Sequence, residues 1–378
     1  MIELAPGNES HIGNIYSLVE KQAIKSKFPY SYLIGGFSNP EAWKKIARAK
    51  VFELLHYKPE KCAPNAEITE RTDMGDYIRE KIYFNTTPDI RVPAYVLIPK
   101  SNLPAPAIIA LHDHGCMYRW GKEKIIDVGP VHPALEEFRR QAYSGKCYAT
   151  ELARRGYVVI CIDAFYFGER RILPAEPIDP ATETTEQVQA QNELSRKEDT
   201  VAKTIFMAGI TWPGIMIWDD IRTVDYLISR PEVDPMRIGC IGLSLGGFRS
   251  AYLSGLDSRI KCAVVVGWMS TYGKMLKRHM VCHTWMLFIP GLYQYLDLPD
   301  IVSMLAPNPL LVIHGSRDEL FPPEGVEEAF EKISAIYERL GARDRFRASV
   351  YDTPHEFNAD MQEEAFAWFD SAMRPAGV

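Results

Sequence analysis

Six short strand-like runs, most of them apolar throughout and too short for a helix, set the strongest limit on this chain. They are AIIALH (107–112), YVVICID (157–163), RIGCIGLS (237–244), KCAVVVGW (261–268), PLLVIHG (309–315) and RASVYDT (347–353). Helical patterns separate several of them, notably WDDIRTVDYLISR (218–230) and EGVEEAFEKISAIYERL (324–340), and DMQEEAFAWFDSAM (360–373) follows the last. Runs buried on both faces and alternating with helices belong to a parallel sheet covered on both sides. Upstream, YIREKIYF (77–84) and IRVPAYVLIPK (90–100) alternate with period two around NTTPD and read as an antiparallel pair. The expected fold class is therefore α/β, a mostly parallel doubly wound sheet of about eight strands.

Residues 1–76 read as a helical N-terminal extension. In EAWKKIARAKVFELL (41–55), Trp43, Ile46, Ala47, Phe52 and Leu55 fall near one stripe. The sheet domain is expected over 77–378, with three insertions of about 115–148, 164–213 and 269–306. All three leave carboxyl ends of strands, where open α/β sheets bind ligands, and so should build a lid or pocket. The polar face of 181–200, including NELSRKED, reads as a solvated helix. TWMLFIPGLYQYL (284–296) is apolar enough for a lid or for the interface of a homo-oligomer.

With 47% hydrophobic and 24% charged residues the chain can build a large core. Its net charge of −6, both signs interspersed, offers no footprint for nucleic acid. No apolar run is long enough to span a bilayer, so no membrane association is expected. The start, MIELAPGNES, lacks a signal-peptide pattern, and the seven cysteines are odd in number with no CxxC. Cys161, Cys240 and Cys262 fall in the apolar runs as small hydrophobes. A cytoplasmic setting accounts for both features.

The run at 237–244 ends in Gly-Leu-Ser-Leu-Gly and leads into a helical stretch. A serine on such a strand-to-helix turn is held in strain, and the glycines two positions to either side leave room for neighbouring backbone. An activated serine needs a base and a carboxylate to orient it. Two later strand ends supply both: Asp318 in HGSRDELFPP and His355 in YDTPHEFN, in the order Ser, Asp, His. Glu319 is the alternative to Asp318; Asp352 reads as a turn cap and His314 as structural. Leu245 should give one backbone N–H of an oxyanion hole. The loop HDHGC should give the other, His114 before Asp113. Trp268, at the end of the strand after the elbow helix, should wall the acyl side, with Trp212 reaching the same pocket. The pairs in HDH and HMVCH (His279, His283) lack a complete ligand set, so no metal is expected.

These residues carry a resemblance. From about Ile82 to Trp368 the chain resembles the α/β-hydrolase superfamily, within its dienelactone-hydrolase and acetyl-xylan-esterase-like branch. The supporting stretches are LHDHGCMYRWGKEK, DAFYFGERR, WDDIRTVDYLISRPEVDPMRIGCIGLSLGG, HGSRDELFPP and YDTPHEFN. The resemblance implies an α/β-hydrolase fold and a serine carboxylic-ester hydrolase with no cofactor, acting on a small-molecule ester and often on acetylated sugars. Dienelactone hydrolases use a cysteine nucleophile where this chain has Ser244, which speaks against lactone hydrolysis in the strict sense. The rival readings are a prolyl-oligopeptidase-like peptidase, which would need a long β-rich N-terminal segment, and a non-catalytic binding protein on the same scaffold.

Overall fold

The structure is a computed structural model that describes residues 10–25, 27–100 and 103–374. MIELAPGNE (1–9), on which the reading of the N-terminus rests, lies outside them.

The apolar runs assemble into one nine-stranded sheet. In chain order its strands are β1 (Glu67–Asp73), β2 (Tyr77–Asn85), β3 (Arg91–Pro99), β4 (Ala105–Leu111), β5 (Val158–Ile162), β6 (Val233–Leu243), β7 (Ile260–Val266), β8 (Leu310–Gly315) and β9 (Phe346–Tyr351). Across the sheet they run β1-β2-β3-β5-β4-β6-β7-β8-β9. β1 to β3 are antiparallel, β3 meets β5 antiparallel, and all pairs from β5 to β9 are parallel. Alternate side chains enter two cores. Ile109, Ile160, Cys240, Val265 and Val312 face one way, and Ile108, Val159, Ile241, Val264 and Leu311 the other. Burial on both faces is the physical reason β4 to β8 read as continuous apolar runs, whereas β9, from RASVYDT, is an edge strand and largely exposed. The strand order reverses at β4, with β5 on one side and β6 on the other, so a crevice opens beyond their carboxyl ends.

Two details differ from the sequence reading. β1 lies inside the stretch expected to be helical, and it makes nine strands rather than about eight. Every residue of EITERTD is exposed, so this edge strand has no apolar alternation to reveal it. In the helix Pro40–Leu54 the buried stripe runs Trp43, Ala47, Val51 and on to Leu55, while Ile46 and Phe52 are exposed. At 3.6 residues per turn Phe52 sits about 180° around the axis from Trp43. Asn39 caps this helix, accepting from the N–H groups of Glu41 at 2.9 Å and Ala42 at 3.2 Å.

The N-terminal segment is bound into the core. Arg48 donates to the carbonyls of Gly255 (2.8 Å) and Met304 (3.3 Å), and Ser31 Oγ donates to Asp300 at 2.7 Å. The insertions carry their own helices: Pro133–Tyr143 in the first, Thr185–Ser195 and Glu198–Met207 in the second, Leu298–Ser303 in the third. Among the described residues no single helix is long and apolar enough to cross a membrane. All seven cysteines are free thiols.

Candidate active site

β6 ends at Leu243 and the helix Leu245–Leu256 begins two residues later, leaving Ser244 alone to reverse the chain. It does so at φ 58° and ψ −116°, a conformation costly for a residue with a Cβ. Its neighbours hold it there: the Ser244 N–H donates to the Val266 carbonyl at 2.9 Å, and its own carbonyl accepts from Phe248 at 2.8 Å. The flanking glycines are there for space. A Cβ on Gly246 would collide with the Leu111 carbonyl, and one on Gly242 with the Gly246 backbone.

Two further strand ends reach the same place. Asp318 follows β8 and is buried, and its Oδ2 lies 2.6 Å from Nδ1 of His355, which follows β9. Asp318 Oδ1 accepts from the Leu320 N–H at 3.0 Å. Burial pushes the Asp318 pKa up, but the His355 hydrogen bond and charge, with the Leu320 N–H, outweigh it and hold the carboxyl below its ordinary value. Gly267 makes room for the imidazole, since a Cβ there would lie 3.0 Å from His355 Cε1. Ser244 and His355 both line a cavity of about 530 Å³, together with Asp113, His114 and Leu245.

One wall of the cavity is apolar, built from Trp268, Leu287, Leu320 and Phe321. Another is polar. His114 Nε2 lies 2.7 Å from Glu198, whose carboxylate also accepts hydrogen bonds from the hydroxyls of Tyr118 and Thr284. Burial disfavours the charged His114 ring, but Cys116 and Glu198 outweigh it and raise its pKa to about 8. His283, also on the cavity, is pushed the other way to about 4, by burial first and then by the nearby His355.

A model of the Abhydrolase family matches residues 10–362. The chain belongs to that family. The hydrolase YtaP of Bacillus subtilis, so named provisionally, is 28% identical over 320 residues, 84% of this chain and 96% of its own length. Two solved structures share the Abhydrolase fold. A Bacteroides fragilis protein provisionally described as an acetyl xylan esterase has TM-score 0.67 at 19% identity, covering 90% of this chain and 84% of its own. The glucuronoyl esterase from Solibacter usitatus has TM-score 0.60 at 14% identity, covering 89% and 94%.

Within this Abhydrolase chain the other expected residues separate. Trp268 lines the cavity; Trp212 does not. Trp212 opens the helix Trp212–Leu227 and is wholly buried against Phe165 and Tyr166, at 5.4 and 5.3 Å between ring centroids. Thr211 caps that helix and Pro213 is its second residue, so the indole stands in the first turn, where it faces the core rather than the pocket. Glu319 is exposed beside Asp318, and Asp352 pairs with Arg317 at 3.0 Å. His314 is buried against Phe321, and His279 lies off the cavity lining that includes His283. Glu198 was the residue missed. It sits at the edge of a stretch that reads as solvated, and only its contact with a distant histidine reveals it.

The carboxylates of Glu123, Asp163 and Glu169 converge closely enough to hold a cation. The centre belongs to the buried Lys122, whose Nζ lies 2.9, 2.7 and 2.7 Å from the three. A covalently attached ammonium satisfies this cluster, so its donor set is a poor fit for a metal.

Proposed function

We propose that the chain is a serine hydrolase of small carboxylic esters with short acyl groups, working through an acyl-enzyme. The observation that carries this reading is Ser244, held at positive φ on the cavity that also receives His355 from its pair with Asp318. His355 takes the proton from Ser244 Oγ as the oxygen attacks the ester carbonyl. Asp318 fixes the proton on Nδ1 and stabilises the imidazolium. The oxyanion meets the N–H groups of Leu245 and His114. His355 then protonates the departing alcohol, and water repeats the sequence to release the acid. The scheme calls for no cofactor.

The two unlike walls favour a substrate that is small and apolar on its acyl side and hydroxylated on its alcohol side. Trp268, Leu287 and Phe321 would face the acyl group, and the Glu198 cluster the alcohol. The acetyl-xylan-esterase name of one solved neighbour supports an acetylated sugar, while the glucuronoyl-esterase name of the other supports a carbohydrate ester only. Ser244→Ala is the test. Turnover of p-nitrophenyl acetate is expected to fall by roughly 10³-fold or more, with an unchanged melting profile and no labelling by an organophosphate. Near-wild-type turnover would refute the assignment.

A further inference from the structure

Lys124 is completely buried, yet the hydrogen bonds of its ammonium go to the backbone. Nζ donates to the carbonyl of Asp113 at 2.9 Å and to that of His114 at 2.7 Å, while the Asp113 carboxylate stands 3.7 Å away. The rings of Phe138 and Phe167 lie 5.3 and 4.8 Å from the same nitrogen. The Asp113 carbonyl accepts a second bond, from His112 Nδ1 at 2.8 Å. That nitrogen carries the proton because Nε2 accepts from the Ala164 N–H at 3.0 Å.

A trans peptide is planar, so its N–H points away from its C=O. Fixing the carbonyls of Asp113 and His114 on Lys124 turns the N–H groups of His114 and Gly115 to the opposite side. Among the described residues neither N–H has a hydrogen-bond partner, and both residues line the cavity that holds Ser244. Gly115 permits the bend at φ 51°, where a Cβ would collide with the Asp113 carboxylate and the Phe138 ring. A methionine could fill the same space without the cost of burying an ammonium. What the ammonium supplies and a methionine does not is its hold on two carbonyls and a countercharge for the buried Asp113 carboxylate.

We propose that Lys124 is a positioning residue for the oxyanion hole, clamping the loop so that the N–H groups of His114 and Gly115 present themselves to the developing oxyanion. The inference rests on the reading of Ser244 as nucleophile. It also selects His114 over Asp113 as the second donor, because the peptide plane between them is the one pinned from both nitrogens.

The test compares an aryl ester with its thionoester. Sulphur accepts hydrogen bonds far more weakly than oxygen, so the kcat/KM ratio of the two substrates reads the donors of the hole. The ratio does not depend on how much of a sample is folded. For Lys124→Met, kcat on the ester is expected to fall about 100-fold, KM to move by less than about threefold, and the oxygen-to-sulphur ratio to fall about tenfold or more. If Lys124→Met yields no folded protein, Lys124→Gln, neutral and too short to reach both carbonyls, is expected to move the ratio the same way. A ratio equal to wild type in the variant that folds overturns the proposal. Diethyl p-nitrophenyl phosphate separates this from failure of the underlying reading. A wild-type enzyme labelled at Ser244 whose variant keeps its ratio refutes the role of Lys124 alone. A wild-type enzyme left unlabelled refutes the nucleophile, and the clamp with it.

Discussion

Removing Trp268 should lengthen the acyl chain that the cavity accepts. The indole lies two residues beyond the end of β7, is 2% exposed, and meets Phe248, Phe321 and His283 edge-on at 5.5, 5.4 and 5.5 Å. A wall braced on three sides yields little to a longer chain. Octanoate carries six more methylenes than acetate, and at about 0.8 kcal/mol each their full burial is worth a ceiling of about 5 kcal/mol. In Trp268→Ala the three neighbours will take back part of the vacated space. If about a third of the ceiling survives, the gain is about 1.6 kcal/mol, slightly more than tenfold. The assay is a p-nitrophenyl ester series from acetate to octanoate at one pH, with active sites counted by organophosphate titration. Counting is needed because a truncation of this kind costs about 3–5 kcal/mol of stability. Wild type should prefer acetate, and the variant should raise kcat/KM for octanoate relative to acetate tenfold or more. A wild type that already prefers octanoate, or a variant that slows every chain equally, makes Trp268 a packing residue only.

Stability should fall on the alkaline side through His114. Its pKa of about 8 in the fold exceeds the roughly 6.5 of a free imidazole, so its contribution is complete below pH 6.5 and disappears as pH rises through 8. The gap of about 1.5 pH units sets a ceiling of about 2 kcal/mol. Thermal midpoints from pH 6 to 9 should decline in wild type and more shallowly in Glu198→Gln; identical slopes would contradict the pairing. Exhaustive dialysis against a chelator is expected to leave ester turnover unchanged, because Lys122 already fills the Glu123–Asp163–Glu169 cluster. Activity lost to the chelator and regained with zinc would show otherwise.

The parts legible in the sequence are those governed by local rules. Ser244 is readable because a serine on a strained strand-to-helix turn must be flanked by residues small enough for the backbones that crowd it. Asp318 and His355 are readable because each follows an apolar run by a few residues, and the carboxyl ends of such runs lie on one side of a parallel sheet. Positions decided by tertiary partners are not readable in this way. β1 pairs with β2 through its backbone and through polar contacts such as Arg71 with Glu80, so its side chains carry no apolar signature. Trp212 shows an aromatic near a turn, but whether the ring points to core or cavity depends on where Thr211 begins the helix. Glu198 reads as solvated because its partners, His114, Tyr118 and Thr284, lie 80 to 86 residues away on either side.

The cavity rests on two foundations of unequal tolerance. Ser244, Asp318 and His355 hang from the ends of β6, β8 and β9, and a one-residue slip in a strand turns every side chain to the wrong face. Much of the remaining lining, including Phe138, Glu198 and Leu287, comes from three excursions that contribute no strand to the sheet. Insertions and deletions can therefore accumulate in those excursions without unpicking a single strand pairing. Descendants of such a gene are free to exchange one ester for another while inheriting the same reaction, and an experimenter who diversifies the cavity-lining positions Phe138, Glu198 and Leu287, leaving the buried Lys122 and Lys124 in place, repeats that experiment without breaking a strand pairing.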